Sequence, residues 1–205
     1  MKLLRLTSGP LRVNTYFLVD EKTNQAIVID CGENYKLVKN TEETHGLKIV
    51  AVLLTHAHFD HSGIAKRLQD EGVKIYISKI DAPKLLNDDN LSINFGRKFN
   101  YLTADYTFSD GDEITIADMT LKVMITPGHT DGSACFIVGG CIFSGDTLFN
   151  GCVGRTDFKT GNKQDMITSV KRLFALDGDY AVYPGHDEFT TLENERKYNT
   201  FADYD

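Results

Sequence analysis

Three of the chain's six histidines fall within seven positions, Thr55-His56-Ala57-His58-Phe59-Asp60-His61. A continuously apolar run, Ile49 to Leu54, leads straight into them. Two more histidines stand in turns after other apolar runs, in Pro127-Gly128-His129-Thr130 and Pro184-Gly185-His186-Asp187, and Ser144-Gly145-Asp146 sets a carboxylate in the same kind of place. Neutral imidazole and carboxylate are the donors that zinc, iron and manganese share in catalytic sites. A lone histidine is more often a core or surface residue, but five of them, each ending a strand-like run, point to metal binding. Five histidines and two aspartates exceed the need of one four-coordinate ion. They suit two divalent ions about 3.5–4 Å apart, with one aspartate between them. No cysteine stands among these positions, which argues against a structural Cys-rich site.

Each donor group needs a strand to carry it and a turn to aim it. Strands are expected over residues 2–6, 13–19, 25–30, 48–54, 73–78, 113–116, 121–126, 134–139, 141–146 and 181–184. Residues 48–54 are β-branched and apolar throughout, as in a strand buried on both faces. Proline and glycine beside His129 and His186 permit the sharp turn that brings an imidazole back over a sheet edge. Helices are expected at 34–45, ending at Gly46, at about 63–71, at 163–175 and at 190–200. His45 falls in the first of these, outside the donor set. Residues 80–108 carry few β-branched residues and predict short helices and loops, some of them roofing a site. Two runs of strands interleaved with helices predict a two-sheet sandwich with helices outside.

The remaining composition narrows the function classes. The chain has 205 residues, 41% hydrophobic and 25% charged, enough for a sizeable core. A net charge of −7 argues against general affinity for nucleic acid or anionic membrane. No apolar stretch approaches the roughly 18 residues of a membrane span, and the N-terminus lacks the apolar core of a signal peptide. Cys31, Cys135, Cys141 and Cys152 show neither metal-site nor disulfide-framework spacing, so reduced and mostly buried thiols in a cytoplasmic protein are expected. Cys152 is set apart by its glycine-rich loop, Gly151-Cys152-Val153-Gly154.

Together, the HxHxDH run and the downstream Pro-Gly-His-Thr, Ser-Gly-Asp and Pro-Gly-His turns resemble the metallo-β-lactamase superfamily over essentially the whole chain. The opening GPLRVNTYFLV is similar to its first strands. The resemblance implies an α/β fold, an αββα four-layer sandwich in a single domain over residues 1–205. It also implies a first metal site of His56, His58 and His129, a second of Asp60, His61 and His186, and Asp146 shared by both. In antibiotic-degrading β-lactamases the Asp146 position is typically cysteine, so that activity is not expected. The glyoxalase II branch, which hydrolyses acyl-glutathione thioesters, fits better: Asp146 and the loop DTLFNGCVGRTD resemble it. In that branch a basic residue of the loop contacts the thiol carrier, and Arg155 stands at or near its position. Only 19 residues follow His186, so the helical C-terminal domain of full-length glyoxalase II is expected to be missing.

The implied reaction is hydrolysis of a small-molecule thioester. Two divalent ions, zinc first with iron or manganese also served by these donors, lower the pKa of a shared water to near neutrality, and the resulting hydroxide attacks the carbonyl. Asp60 and Asp146 are the expected catalytic carboxylates, Asp60 by orienting the hydroxide. As the bland alternative, Asp60 caps the following helix. Asp30, Asp131 and Thr55 are candidates for fixing imidazole tautomers, and Tyr106 and Tyr183 are expected in the core or the pocket wall. A rival on the same fold is a persulfide dioxygenase with a single iron, held by the equivalents of His56, of His58 or His129, and of Asp146. Such enzymes carry a loop similar to Gly154-Arg155-Thr156-Asp157-Phe158. A non-catalytic metal-binding protein is the lesser alternative, and the sequence fixes no oligomeric state.

Overall fold

All seven residues of Val13–Val19 are buried, so this strand, β2, feeds a core on each of its faces. Tyr16 and Leu18 point one way and Phe17 and Val19 the other, as the two-residue strand period requires. In the computed structural model, which describes residues 1–203, β2 belongs to a six-stranded sheet of order β1-β2-β3-β4-β5-β6. Its members are β1 (Lys2–Ser8), β2, β3 (Gln25–Ile29), β4 (Lys48–Leu53), β5 (Lys74–Ser78) and β6 (Tyr106–Phe108). A second six-stranded sheet holds β7 (Glu113–Ile116), β8 (Met119–Ile125), β9 (Ala134–Val138), β10 (Cys141–Gly145), β11 (Ala181–Pro184) and β12 (Thr190–Thr191).

Between the sheets, Tyr16, Leu18, Ile29 and Leu53 meet Leu121, Val123, Phe136 and Phe143. Outside the first sheet, Phe17, Val52 and Ile75 pack on Val38 of α1 (Tyr35–Thr44) and Leu68 of α3 (Ala65–Asp70). Outside the second, Ile142 and Val182 pack on Leu173 of α4 (Lys163–Phe174) and Leu192 of α5 (Leu192–Tyr198). The layering is αββα, as expected. Each fully buried Leu, Ile or Phe contributes about 1.5–3 kcal/mol before chain entropy is charged against it.

Parallel pairing of β3 with β4, β4 with β5, and β10 with β11 sends several carboxyl-terminal strand ends to one edge. That edge carries the site. The predicted strands all form, with bounds shifted by a residue or two. Where the structure departs from expectation, the causes are local. Residues 80–108 hold three short 3-10 turns and also β6, whose three residues offer too little pattern to read, two of them being exposed. The helix expected at 63–71 starts earlier and splits into α2 (Phe59–Ser62) and α3, because the Ile64 amide donates to the Gly32 carbonyl at 3.1 Å instead of back into the helix. Thr190–Thr191 joins the sheet as β12 before α5 begins. Tyr106 lies half exposed at a sheet edge, stacked on Tyr76, whereas Tyr183 packs between the sheets. Among the described residues no helix is long and apolar enough to cross a membrane.

Candidate metal centre

β4 ends at Leu53, and two residues later one carboxylate, on Asp30 in a left-handed backbone conformation (φ 52°), holds the chain. Asp30, at the end of β3 and 2% exposed, accepts from the Thr55 amide and the Thr55 hydroxyl, each at 2.8 Å. Its Oδ2 also accepts from His61 Nδ1 at 2.8 Å. Because the Thr55 hydroxyl donates to Asp30, its oxygen is left to accept from His56 Nδ1 at 3.0 Å. One aspartate therefore fixes the tautomers of two imidazoles, and both present Nε2 inward. Backbone carbonyls do the same for two others: Arg155 accepts from His129 Nδ1 at 2.8 Å, and Leu11 from His186 Nδ1 at 2.9 Å. His58 is reversed, with Nδ1 facing His129 Nε2 at 2.9 Å.

The inward atoms converge. His61 Nε2 lies 3.3 Å from His186 Nε2, 3.4 Å from Asp146 Oδ1 and 3.6 Å from Asp60 Oδ2. Asp146 Oδ2 stands 3.4 Å from His129 Nε2 and 3.6 Å from His186 Nε2. Ligands about 2.0–2.1 Å from a tetrahedral ion are themselves about 3.3 Å apart, so the spacing suits ions shared by these atoms. Three sets have donor atoms mutually within 4.8 Å: His56, His58 and His129; His56, His61 and Asp146; and Asp60, His61 and His186. His56 Nε2 and Asp146 Oδ1 are buried without a hydrogen-bond partner. Leaving each so costs about 1–3 kcal/mol, which a cation at the convergence point removes. The backbone makes room for the donors: a Cβ at Gly185 would stand 2.4 Å from Asp146 Oδ1 and 2.6 Å from His61 Cε1.

Without an ion, the cluster's electrostatics are polarised. Burial, then neighbouring imidazoles, holds His56 and His58 well below 6.5, so both stay neutral. For His61 burial works the same way, but Asp146, Asp60 and Asp30 outweigh it and push the pKa up to about 10. His186 is raised too: burial opposes the charge, and Asp146 and Asp60 overcome that. Burial alone would raise Asp60, yet His61 and His186 hold it below the usual carboxylate range.

A model of the Metallo-beta-lactamase superfamily matches residues 8–186. The chain belongs to that superfamily. Hydroxyacylglutathione hydrolase GloC of Haemophilus influenzae is 33% identical over 196 residues, covering 92% of each chain. Among solved structures, the BLEG-1 B3 metallo-β-lactamase superposes with a TM-score of 0.93 at 28% identity, over 99% of this chain and 100% of that one. TTHA1623 in a di-iron-bound form gives 0.86 at 31% identity, over 97% and 99%. This superfamily metallo-hydrolase thus carries a metal-binding His/Asp cluster fit for divalent ions.

All seven expected donors of this superfamily site come together, and His45 stays outside, at the end of α1. Asp60 lies within the first turn of α2 and caps nothing; His58 holds the cap position. Asp30 and Thr55 brace imidazoles as expected. Asp131 does not, being half exposed and paired with Lys84. A carboxylate that sequence reasoning missed, Asp81, braces the loops of the donors and not an imidazole. Asp81 is fully buried and accepts from the Ala57 amide at 2.9 Å, from the Thr130 hydroxyl at 3.1 Å and from Lys84 Nζ at 2.7 Å. Ala57 sits between His56 and His58, and Thr130 follows His129, so Asp81 ties together the loops of one triad. Behind His186, Tyr16 Oη donates to the Pro184 carbonyl at 2.7 Å and Asn14 Nδ2 donates to it at 3.1 Å. Two thiols are buried as expected (Cys31 and Cys135), whereas Cys141 is partly exposed and Cys152 exposed.

Above the donors lies a cleft of roughly 340 Å³. Its walls are Leu11, Phe59, Leu91, Phe95, Phe149 and Phe158. Leu91 and Phe95 come from the segment expected to form a roof. Arg155 lines the rim, its guanidinium 4.4 Å over the Phe158 ring and bound to both Asp157 oxygens at 2.9 Å.

Proposed function

We propose that this chain is a binuclear metal-dependent hydrolase that cleaves a thioester of the hydroxyacylglutathione kind. His56, His58 and His129 would hold one ion, Asp60, His61 and His186 the other, and Asp146 both. The observation that carries this reading is the set of convergent nitrogens, four of them with the outer N–H already engaged by Thr55, Asp30, Arg155 or Leu11. Likeness to GloC supports the thioester. Zinc suits the nitrogen-rich donors, and the di-iron form of TTHA1623 keeps iron in view for this chain.

The bound ions supply an acidified water and a Lewis acid for the thioester carbonyl. The chain's own groups do the rest. Asp60 stays ionised beside His61 and His186, so its oxygens are available to accept from the attacking water and hold its lone pair toward the cleft. Asp146 is fixed between both imidazole sets and keeps them in register. The apolar walls exclude competing water around the acyl group, and Arg155 stands where the carrier leaves the cleft. A thiolate of pKa about 8.5 departs without a general acid. Four unpaired thiols support a cytoplasmic setting.

Elemental analysis of protein purified without added metal tests this first, followed by a thioester panel beginning with lactoylglutathione. About two equivalents of zinc, or of mixed divalent metals, with thioesterase activity lost on chelation, is the expected result. One equivalent of iron with oxygen uptake on a glutathione persulfide would replace it by the dioxygenase. Failure to take up metal at all would remove the catalytic reading.

A further inference from the structure

Exposed single apolar residues are ordinary, but aromatic rings gathered around a polar floor are not. Phe95 is 45% exposed on a short 3-10 turn, Ile93–Phe95, whose Ile93 is exposed as well. Its ring lies 5.3 Å from that of Phe59, which adjoins two of the donors. Leu91, at φ 64°, is held in a left-handed conformation that turns the chain over the cleft. Folding alone gains little by keeping Phe95 half in water: burying such a side chain contributes about 1.5–3 kcal/mol, and here much of that is left unrealised.

Charge at the rim is the complementary observation. Among the described residues, Arg155 is the one guanidinium or ammonium lining the cleft, and Asp157 already takes its fork. Nearby, Lys159 is bound to Asp89 at 2.6 Å, and Arg97 lies 3.7 Å from Glu33. A polyanionic ligand would therefore compete with Asp157, Asp89 and Glu33 for these cations. An apolar group needs only to displace water from Phe95, Leu91 and Phe59.

We infer that the roof segment is an acyl-binding wall, so that the preferred substrates carry a bulky apolar or aromatic acyl group on a carrier of low negative charge, with Phe95 the specificity-determining side chain. The inference rests on the thioester reading above and replaces its hydroxyacyl group by an apolar one. Recognition is by contact area: each methylene that reaches the wall strengthens binding about fourfold, until the cleft is full. Polar hydroxyacyl groups bind by the metal floor alone and gain nothing from the roof.

The test uses the metal-loaded protein and thioesters of N-acetylcysteamine, a neutral thiol, with straight acyl chains from acetyl to octanoyl and with phenylacetyl. The same acyl groups on coenzyme A vary the carrier charge. In parallel, calorimetry measures binding of the matching non-hydrolysable S-alkyl thioethers. The expected result is kcat/KM rising about three- to fourfold per methylene over the first few, a lower value on coenzyme A, and a flattened slope in Phe95→Ala that Phe95→Leu restores. Phe95 is exposed enough for both variants to fold. Equal kcat/KM along the series, or preference for coenzyme A, overturns the inference while leaving the hydrolase intact. Graded thioether binding without turnover of any thioester supports the wall and removes the thioester reading. Ungraded binding without turnover overturns both.

Discussion

Lys84 offers the sharpest perturbation of the centre because it touches no donor, yet holds the carboxylate that aligns three of them. Lys84 is 5% exposed, and its ammonium donates to Asp81, to the Ile80 carbonyl and to Asp131. Burial disfavours its charge, but Asp81 outweighs that and raises its pKa, so Lys84 is charged across any practical assay range. In Lys84→Met the fully buried Asp81 keeps its bonds from Ala57 and Thr130 but loses its counter-charge. Breaking a buried pair on one side typically costs about 3–5 kcal/mol. Release of Asp131 into water returns little, since that carboxylate is half exposed already. The expected result is a fall in urea stability of about 3 kcal/mol for the metal-free protein, or roughly 6–12 °C in Tm. Lys84→Met/Asp81→Asn, which removes both charges, recovers a large part of it. Asp81 reaches the loops of His58 and His129 but not of His61 or His186. One of the two metal-binding steps therefore weakens about 10–100-fold in calorimetric titration while the other holds. A single variant within 1 kcal/mol of the parent, or equal weakening of both steps, would refute the argument.

Four further outcomes follow from the geometry and electrostatics of the cluster. Gly185→Ala puts a methyl 2.4 Å from Asp146 Oδ1, so chelator competition should show metal affinity falling by tenfold or more; unchanged affinity would mean the Pro184-Gly185 turn yields freely. Metal uptake near pH 7.5 should release at least one proton per chain into a weakly buffered indicator, because His61, at about 10 without an ion, loses one from Nε2. The metal-free protein should be most stable near pH 6.5. Below it His56 and His58, depressed in the fold, let the unfolded chain take up protons first, and above it the gain at His61 and His186 fades toward pH 10. Urea midpoints that climb steadily from pH 6.5 to 10 would contradict these signs. Tyr16→Phe removes the hydroxyl donor to Pro184, which Asn14 still serves, so about 1 kcal/mol is expected to be lost in the same assay.

The difference between Asp30 and Asp81 marks where sequence stops informing. Asp30 follows the strand QAIVI directly, and a carboxylate at a buried strand end beside a histidine run already suggests an imidazole partner. The seven expected donors, which the fold brings together, announce themselves likewise, because each follows closely on an apolar run, with glycine beside His129, Asp146 and His186 to make the turn. Both sheets and the helices outside them are legible for the same reason. Asp81 has no such context. It precedes a 3-10 turn in a segment without period, and as a turn residue it is indistinguishable from Asp131. Only the fold shows that Ser78 and Gly132 press Asp81 inward, where a Cβ on Gly132 would stand 2.4 Å from its Oδ1. Asp131, one residue from that glycine, is left facing solvent. Phe95 is hidden by the same cause: in a segment of scattered apolar residues nothing local separates a ring that packs from one that waits over a cleft. Residues that bind through a strand's own period can thus be read one strand at a time. Those that work by joining two loops, or by facing a cavity built from distant segments, exist as functional groups only once the sheets have closed on each other.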